Sequence, residues 1–261
     1  MRSLNIAATG MLAQQLNVEV ISNNIANMST TGYQRRRAEF QDLLYQSQRR
    51  VGSASSANGT IVPVGVQVGL GVKTAAVYRI TQQGNLNSTQ NTFDLAIQGP
   101  GYFQITQPSG DTAYTRSGSF QLSATGQLVT ADGDVVNPAI TIPNNAVSVT
   151  INSGGQVLVK IAGTVTPQNV GQIQLANFPN AAGLAAVGGN LLTETPASGT
   201  AVTGNPTDPG FGSLQQGFLE TSNVNVVSEI TSLITAQRAY ELNSRVIQAS
   251  DEMMSTLAQL R

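Results

Sequence analysis

The chain comprises 261 residues with a formal net charge of −1, and only 10% of them are charged, against about 25% in an average soluble protein. It has neither cysteine nor histidine, which excludes a disulfide framework, a thiol nucleophile and cysteine metal sites and removes the commonest general base and transition-metal ligand. The balanced charge offers no global attraction to nucleic acid or an anionic membrane, and its sparseness points to a surface covered by other copies or partners, or to a secreted β-protein rich in Ser, Thr, Asn and Gly.

The opening "MRSLNIAATGMLAQQLNVEV" lacks the apolar run and small-residue cleavage site of a signal peptide. No stretch approaches the roughly 20 apolar residues of a membrane span. Leu4, Met11, Val18 and Ile25 recur every seven residues, flanked by Ala7, Ile21 and Met28, which predicts a helix with one apolar seam. That helix runs into "SNNIANMSTTGYQRRR" at 22–37. Asn23, Asn24 and Asn27 offer amides that bond backbone of another element or subunit without bringing charge into an interface. Gly32 supplies the positive φ that redirects the chain, and Tyr33 offers a flat apolar body with a hydrogen-bonding tip. The plainer reading is helix termination with solvated amides. Arg35, Arg36 and Arg37, with Arg49 and Arg50, form a basic cluster; nucleic-acid binding asks for a larger basic face, so a charged contact between subunits is expected.

All ten prolines lie between Pro63 and Pro209, so the breakers occupy the middle of the chain. There "FDLAIQ", "GYFQIT", "AYTRSGSFQLS", "GQLVT", "VSVTI", "GQVLVKI" and "VGQIQLANF" alternate apolar and polar residues between turn residues. This predicts an antiparallel β-domain from about Leu95 to Phe178. "PASGTAVTGNPTDPGFGS" is either an exposed loop or a strand-poor arm of that domain. "ADGD" at 131–134 has part of a calcium loop, but its further ligands are missing, so a hairpin turn is expected. "IQGPGYF" at 97–103 has no following helix to cradle a phosphate and reads as a tight turn. No pair of carboxylates with glycosidase spacing is legible.

The C-terminal segment repeats the seven-residue period with Val226, Leu233, Tyr240, Ile247 and Met254, beside a second row of Ala239, Val246, Met253 and Leu260. Ser222 or Asn223 suits its N-cap, and some 35 helical residues make a rod about 50 Å long. Its seam needs a cover, and the N-terminal helix is the comparable element; the alternative is a helix lying on a sheet. The predicted fold class is α+β, with long N- and C-terminal helices pairing as a coiled coil around a central antiparallel β-domain.

"SNNIANMSTTGYQRRRAEF", "QGNLNSTQNTFDLAIQGPGYFQI", "RSGSFQLSATGQLVTADGDVV" and "ETSNVNVVSEITSLITAQRAYELNSRVIQASDEMMSTL" resemble, in this order, the signatures of the bacterial flagellar rod and hook axial proteins. The likeness spans nearly the whole chain. It is strongest to the distal-rod branch, on length and on "YQSQRRVGSASSANGTIVPVGVQVGLGVK" at 45–73, which looks like the stretch separating distal rod from hook. The resemblance implies an N-terminal helix over 1–30 and a connecting domain over 31–80 with the branch-specific stretch at about 46–64. It further implies a β-rich outer domain over 81–221 and a C-terminal helix over 222–261. It also implies a non-enzymatic structural subunit, exported without a cleavable signal by the flagellar type III apparatus. Such a subunit polymerises into a rigid hollow tube in the periplasmic basal body that carries torque from motor to hook. Implied partners are the chain itself, proximal-rod subunits, the hook subunit and the surrounding rings, with no cofactor, nucleic acid or small-molecule substrate. The implied polymer interface comprises Asn23, Asn24, Asn27, Thr31, Gly32, Tyr33, Arg49, Arg50, Val226, Leu233, Gln237, Arg238, Tyr240, Asn243, Ile247 and Met254. A proximal-rod subunit, or a secreted β-rich glycan binder or glycosidase, is the competing expectation.

Overall fold

The computed structural model describes residues 2–51, 64–164 and 166–259. Most of the expected branch-specific stretch, and Leu260 of the second apolar row, therefore lie outside the described residues. The chain forms two compact units, one from Met1–Ile25, Arg36–Tyr78 and Asn225–Arg261, the other from Ala26–Arg35 and Arg79–Val224. The segment expected as one connecting domain, 31–80, thus contributes to both units.

The first unit contains helix α1 (Arg2–Ala26) and helix α2 (Val226–Gln259). The N-cap of α2 is Asn225, whose Oδ1 accepts from the Ser228 amide at 3.1 Å and whose carbonyl accepts from Glu229 at 3.0 Å. This corrects the expectation of Ser222 or Asn223, because the Asn223 side chain is committed to backbone groups elsewhere. Contacts between the helices fall at three places among the described residues. Asn24 Nδ2 donates to Glu229 Oε2 at 3.2 Å, Gly10 lies against the Asn243 amide, and the Ser3 and Ser250 hydroxyls are 3.4 Å apart. On α2 the buried residues are Glu229, Ala236 and Ser250. Of the predicted seam, Val226, Leu233 and Ile247 are half-buried, whereas Tyr240 and Met254 stay exposed.

The same unit holds strands β1 (Arg36–Asp42), β2 (Tyr45–Arg49), β3 (Val66–Gly69) and β4 (Val72–Arg79), with β1 paired to β4 and β2 to β3. None was anticipated as a strand. The reason is physical: β2 is exposed along its whole length, so no face was selected for apolar residues and the period-2 signal is missing. The Val72 amide donates to Thr9 Oγ1 at 3.4 Å, seating α1 beside the turn before β4.

The second unit is built of short strands: β5 (Leu86–Ser88), β6 (Leu95–Gln98), β7 (Tyr102–Thr106), β8 (Thr112–Thr115), β9 (Gln121–Leu122), β10 (Leu128–Val129) and β11 (Val135–Asn137). They continue with β12 (Ala146–Ile151), β13 (Gln156–Ile161), β14 (Gln168–Gln172), β15 (Leu175–Asn177), β16 (Ala185–Gly188), β17 (Leu191–Thr193), β18 (Val202–Gly204), β19 (Ser213–Gln216) and β20 (Phe218–Glu220). The main sheet runs β16-β17-β8-β7-β11-β10-β9, with β15 also on β7 and β18 on β15. A second sheet is β12-β13-β14, and β6 pairs β19 as β5 pairs β20. The strands pair antiparallel, with Phe103 opposite Thr115 and Ile105 opposite Val136. Inward positions of these strands, with Phe120 and Ile173 from the connections between them, make the core of Leu95, Ile97, Phe103, Ile105, Phe120, Leu128, Val136, Val157, Val159, Ile173 and Leu175. Each large side chain so buried stabilises the unit by about 1.5–3 kcal/mol before entropy is counted. Phe103 and Phe120 meet edge to face at 5.1 Å.

Every strand run read from the sequence is present. "ADGD" forms the hairpin turn between β10 and β11, where Thr130 donates to Asp134 at 2.9 Å. "GPG" is the turn from β6 to β7. The stretch after Phe178 is an arm of the domain, since β18 pairs β15.

Candidate functional site

The expected interface residues fall into three groups. The first surrounds Asn24, which is only 1% exposed. Its Oδ1 accepts from the Arg36 amide and its Nδ2 donates to the Arg36 carbonyl, both at 2.8 Å, besides reaching Glu229. One amide thus does for Arg36 what a neighbouring strand does in a sheet, and also serves a buried carboxylate. Asn24 is spent inside the chain. Asn23 is exposed and Asn27 half-buried, the latter accepting from Thr30 Oγ1 at 3.2 Å.

The second group lies in the second unit, where residues 32–35, 80–84 and 220–223 run together. Gly32 has φ +67°, and a Cβ there would sit 2.7 Å from the Ser117 nitrogen. Glycine is therefore required twice over, for conformation and for space. The Gly32 amide donates to the Glu220 carbonyl at 2.8 Å. Asn223 accepts from the Arg35 amide at 2.7 Å and donates to the carbonyls of Ile80 and Gln82 at 3.0 and 2.7 Å. Its own amide donates to the Tyr33 carbonyl at 3.3 Å. Beneath these passes, Arg116 and Glu220 form an ion pair with side chains 7% and 3% exposed. The guanidinium also donates to the carbonyls of Gly101 and Ile97, and Glu220 Oε1 accepts from the Gly84 amide at 3.0 Å. Thr31 is half-buried, its carbonyl accepting from Asn190 Nδ2 at 3.4 Å. Sequence reasoning missed Arg116, Glu220 and Asn223; the signal present was a charge inside an alternating strand run, "AYTRSGSF".

A cleft of about 560 Å³ borders this junction, lined by Gln34, Gln83, Gly99, Pro100, Arg116, Asn177 and Phe178 among others. Its arginine and Gln83 are already bonded to the chain's own carbonyls and amides. Such groups hold backbone in place; none is a nucleophile with a base beside it. Among the described residues no group of three Asp or Glu side chains converges as metal ligands. Tyr114, in the satellite core with Tyr102 and Phe178, has its hydroxyl pKa raised by burial and by Glu194.

The third group is on α2 and β2. Gln237, Arg238, Arg49 and Arg50 are exposed and Asn243 is half-buried. More telling is the exposed apolar surface of α2 beyond Tyr240 and Met254, of which the sequence singled out Val246 and Met253 but not the rest. Val227 is 76% exposed and Leu242 61%, and Ile230, Ile234, Val246 and Met253 are exposed beside them. Isolated apolar residues on a surface are ordinary; a helix carrying this many is a contact surface.

A strand-rich core joined in sequence to helices with uncovered apolar surface defines a structural subunit, a part made to be packed among others. Three family profiles match the chain in sequence order: "Flagella basal body rod protein" over 4–34, "Flagellar hook protein FlgE/F/G D1 domain" over 96–159 and "Flagellar basal body rod FlgEFG protein C-terminal" over 215–260. The chain is 60% identical to the flagellar basal-body rod protein FlgG of Caulobacter vibrioides, over the full length of both. It is 54% identical to that of Agrobacterium fabrum over 99% of this chain and 98% of the relative, and 42% identical to that of Bacillus subtilis over 100% and 99%. The chain belongs to the flagellar basal-body rod protein family, and its place is the flagellar basal body.

Proposed function

We propose that the chain is the distal-rod subunit, which polymerises into a rigid hollow helical tube that transmits torque from motor to hook and encloses the export channel. The observation that carries the reading is the apolar surface of α2, from Val227 to Met253, which the chain itself leaves uncovered. In a tube, copies bury that surface and torque passes through many side-by-side contacts without bond chemistry. Full-length similarity to proteins named FlgG supports the assignment.

In this reading α1 and α2 pair as an antiparallel coiled coil. The three helix–helix contacts and the half-buried Val226, Leu233 and Ile247 support it. The remaining interface residues, Asn23, Asn27, Thr31, Tyr33, Arg49, Arg50, Gln237, Arg238, Tyr240 and Met254, face neighbouring copies. The subunit leaves the cytoplasm through the flagellar type III apparatus and meets proximal-rod subunits, the hook subunit and the surrounding rings in the periplasm. Residues 46–64 add contacts along the axis that keep the tube straight. Deleting 46–64 and imaging isolated basal bodies tests this. Curved or flexible rods are expected, and rods as straight as those of the unaltered chain would remove the ground for the distal assignment.

A further inference from the structure

We propose that a row of small and polar side chains, and not the apolar seam, sets the register in which α1 and α2 pair; the inference rests on the coiled-coil reading above. The contact residues on α1 are Ser3, Gly10 and Asn24, and their partners on α2 are Ser250, Asn243 and Glu229. Along α1 they advance by seven and then fourteen residues while along α2 they retreat by the same steps. The step skipped on each helix is occupied by Asn17 and by the buried Ala236. One face of each helix therefore meets the other at steps of two turns, through rungs of serine with serine, glycine with asparagine and asparagine with glutamate, with Asn17 and Ala236 at the remaining position of the same series.

An apolar heptad seam cannot choose among registers. Leu4, Met11, Val18 and Ile25 slid by seven residues past Val226, Leu233, Tyr240, Ile247 and Met254 still bury apolar against apolar. The rungs are not repetitive. Slid one way, Asn24 faces Ala236, and Glu229, 6% exposed, loses its amide donor. Slid the other way, Gly10 faces Ala236 and leaves a void, while Ser3 faces Asn243. Gly10 is matched to its rung by shape as well: a Cβ there would lie 2.9 Å from Asn243 Nδ2, so Asn243 packs over bare backbone. A polar position in a coiled coil fixes register at some cost in stability. In a tube of identical chains, every neighbour offers the same heptads, so a register key keeps each pair in step.

The chain has no cysteine, so introduced pairs report register without background. Full-length protein recovered from assembled basal bodies is oxidised and cross-links within one chain are scored. Ser3→Cys with Ser250→Cys should cross-link efficiently; failure here sinks the paired-helix reading itself. Ser3→Cys with Asn243→Cys reports a one-heptad slip and should stay open while Asn24 and Glu229 are intact. With Asn24→Leu and Glu229→Leu added, the slip pair should close. Adding Asn24→Leu, Glu229→Leu and Asn243→Leu should cut the Ser3–Ser250 yield about fivefold or more, the factor expected for losing the net energy of one hydrogen bond at the Asn24–Glu229 rung, with the lost fit at Gly10 adding to it. An unchanged yield overturns the key and leaves chain connectivity to set register. Should the leucine variants not assemble, an exchange decides. Gly10→Asn should lower the native cross-link, and Gly10→Asn with Asn243→Gly should restore it. No restoration by the exchange would also overturn the proposal.

Discussion

Replacing Arg116 by alanine is the sharpest test of the junction in the second unit. The change removes the partner of a carboxylate whose side chain is 3% exposed and takes a donor from the carbonyls of Gly101 and Ile97, of which Ile97 keeps Gln83 Nε2. Removing one member of a buried ion pair costs about 3–5 kcal/mol, chiefly because the other charge stays desolvated. The loss at the Gly101 carbonyl adds about 1–3 kcal/mol where water cannot reach it. The packing loss of the arginine stem is smaller and is not what decides the outcome. Glu220→Gln should cost less, since Oε1 still accepts from Gly84 and no charge is buried alone except the arginine's, which two carbonyls solvate. Arg116→Met with Glu220→Leu should be milder than the sum of the singles, because it removes both charges together. Urea unfolding of the full-length chain measures all of these. It is followed by tyrosine fluorescence, since the chain has no tryptophan and Tyr102 and Tyr114 lie in the satellite core. A loss under about 1 kcal/mol for Arg116→Ala, or a double change as costly as the two singles summed, would refute the account of this pair as the unit's electrostatic anchor.

Gly32→Ala should destabilise the same unit by about 2 kcal/mol or more, combining a left-handed backbone with a 2.7 Å approach to Ser117; a neutral change in urea midpoint contradicts this. The raised Tyr114 pKa means the neutral hydroxyl is favoured in the folded chain. Its contribution is fully present below the unfolded value of about 10 and is lost as pH rises through the folded value. Stability should therefore fall at alkaline pH, and less steeply in Tyr114→Phe. In dilute monomer, amides of residues 226–259 should exchange fast and those of the β-core slowly, because much of the apolar surface of α2 is exposed; strong protection of α2 in a proven monomer runs against it. Leu233→Asp should abolish swimming at normal subunit level, as it places a charge in a packed seam, whereas Asp251→Asn at an exposed position should swim normally; free swimming by Leu233→Asp would dispose of the seam.

What could be read in the sequence was what repeats. The strands of the second unit alternate because one face is buried, and both terminal helices carry a seven-residue apolar recurrence. The rest was hidden for stated reasons. The buried row of α2 is Glu229, Ala236 and Ser250 with Asn243 between, small and polar residues that a search for apolar periodicity passes over. Strands β1 to β4 are exposed on most positions and so carry no alternation. Asn24 was singled out as an asparagine at a helix end, but its role, mimicking a strand for Arg36, depends on a residue 12 positions away. The Arg116–Glu220 pair spans 104 positions, and no local pattern announces it.

Asn24 and Glu229 meet across 205 positions of chain. The first unit is assembled from both ends: the bonds of Asn24 to Arg36 and of Val72 to Thr9 lie within its first part, but the two helices cannot meet until the last segment has arrived. The second unit is nearly contiguous from Arg79 to Val224 and can form while the remainder is still unstructured, reducing the entropy of bringing the ends together. The contact between the two helices is therefore the last that the chain can make. A chain broken before residue 229 completes its β-core yet has no carboxylate to offer Asn24. Such a copy would keep the core while its two ends stay unjoined.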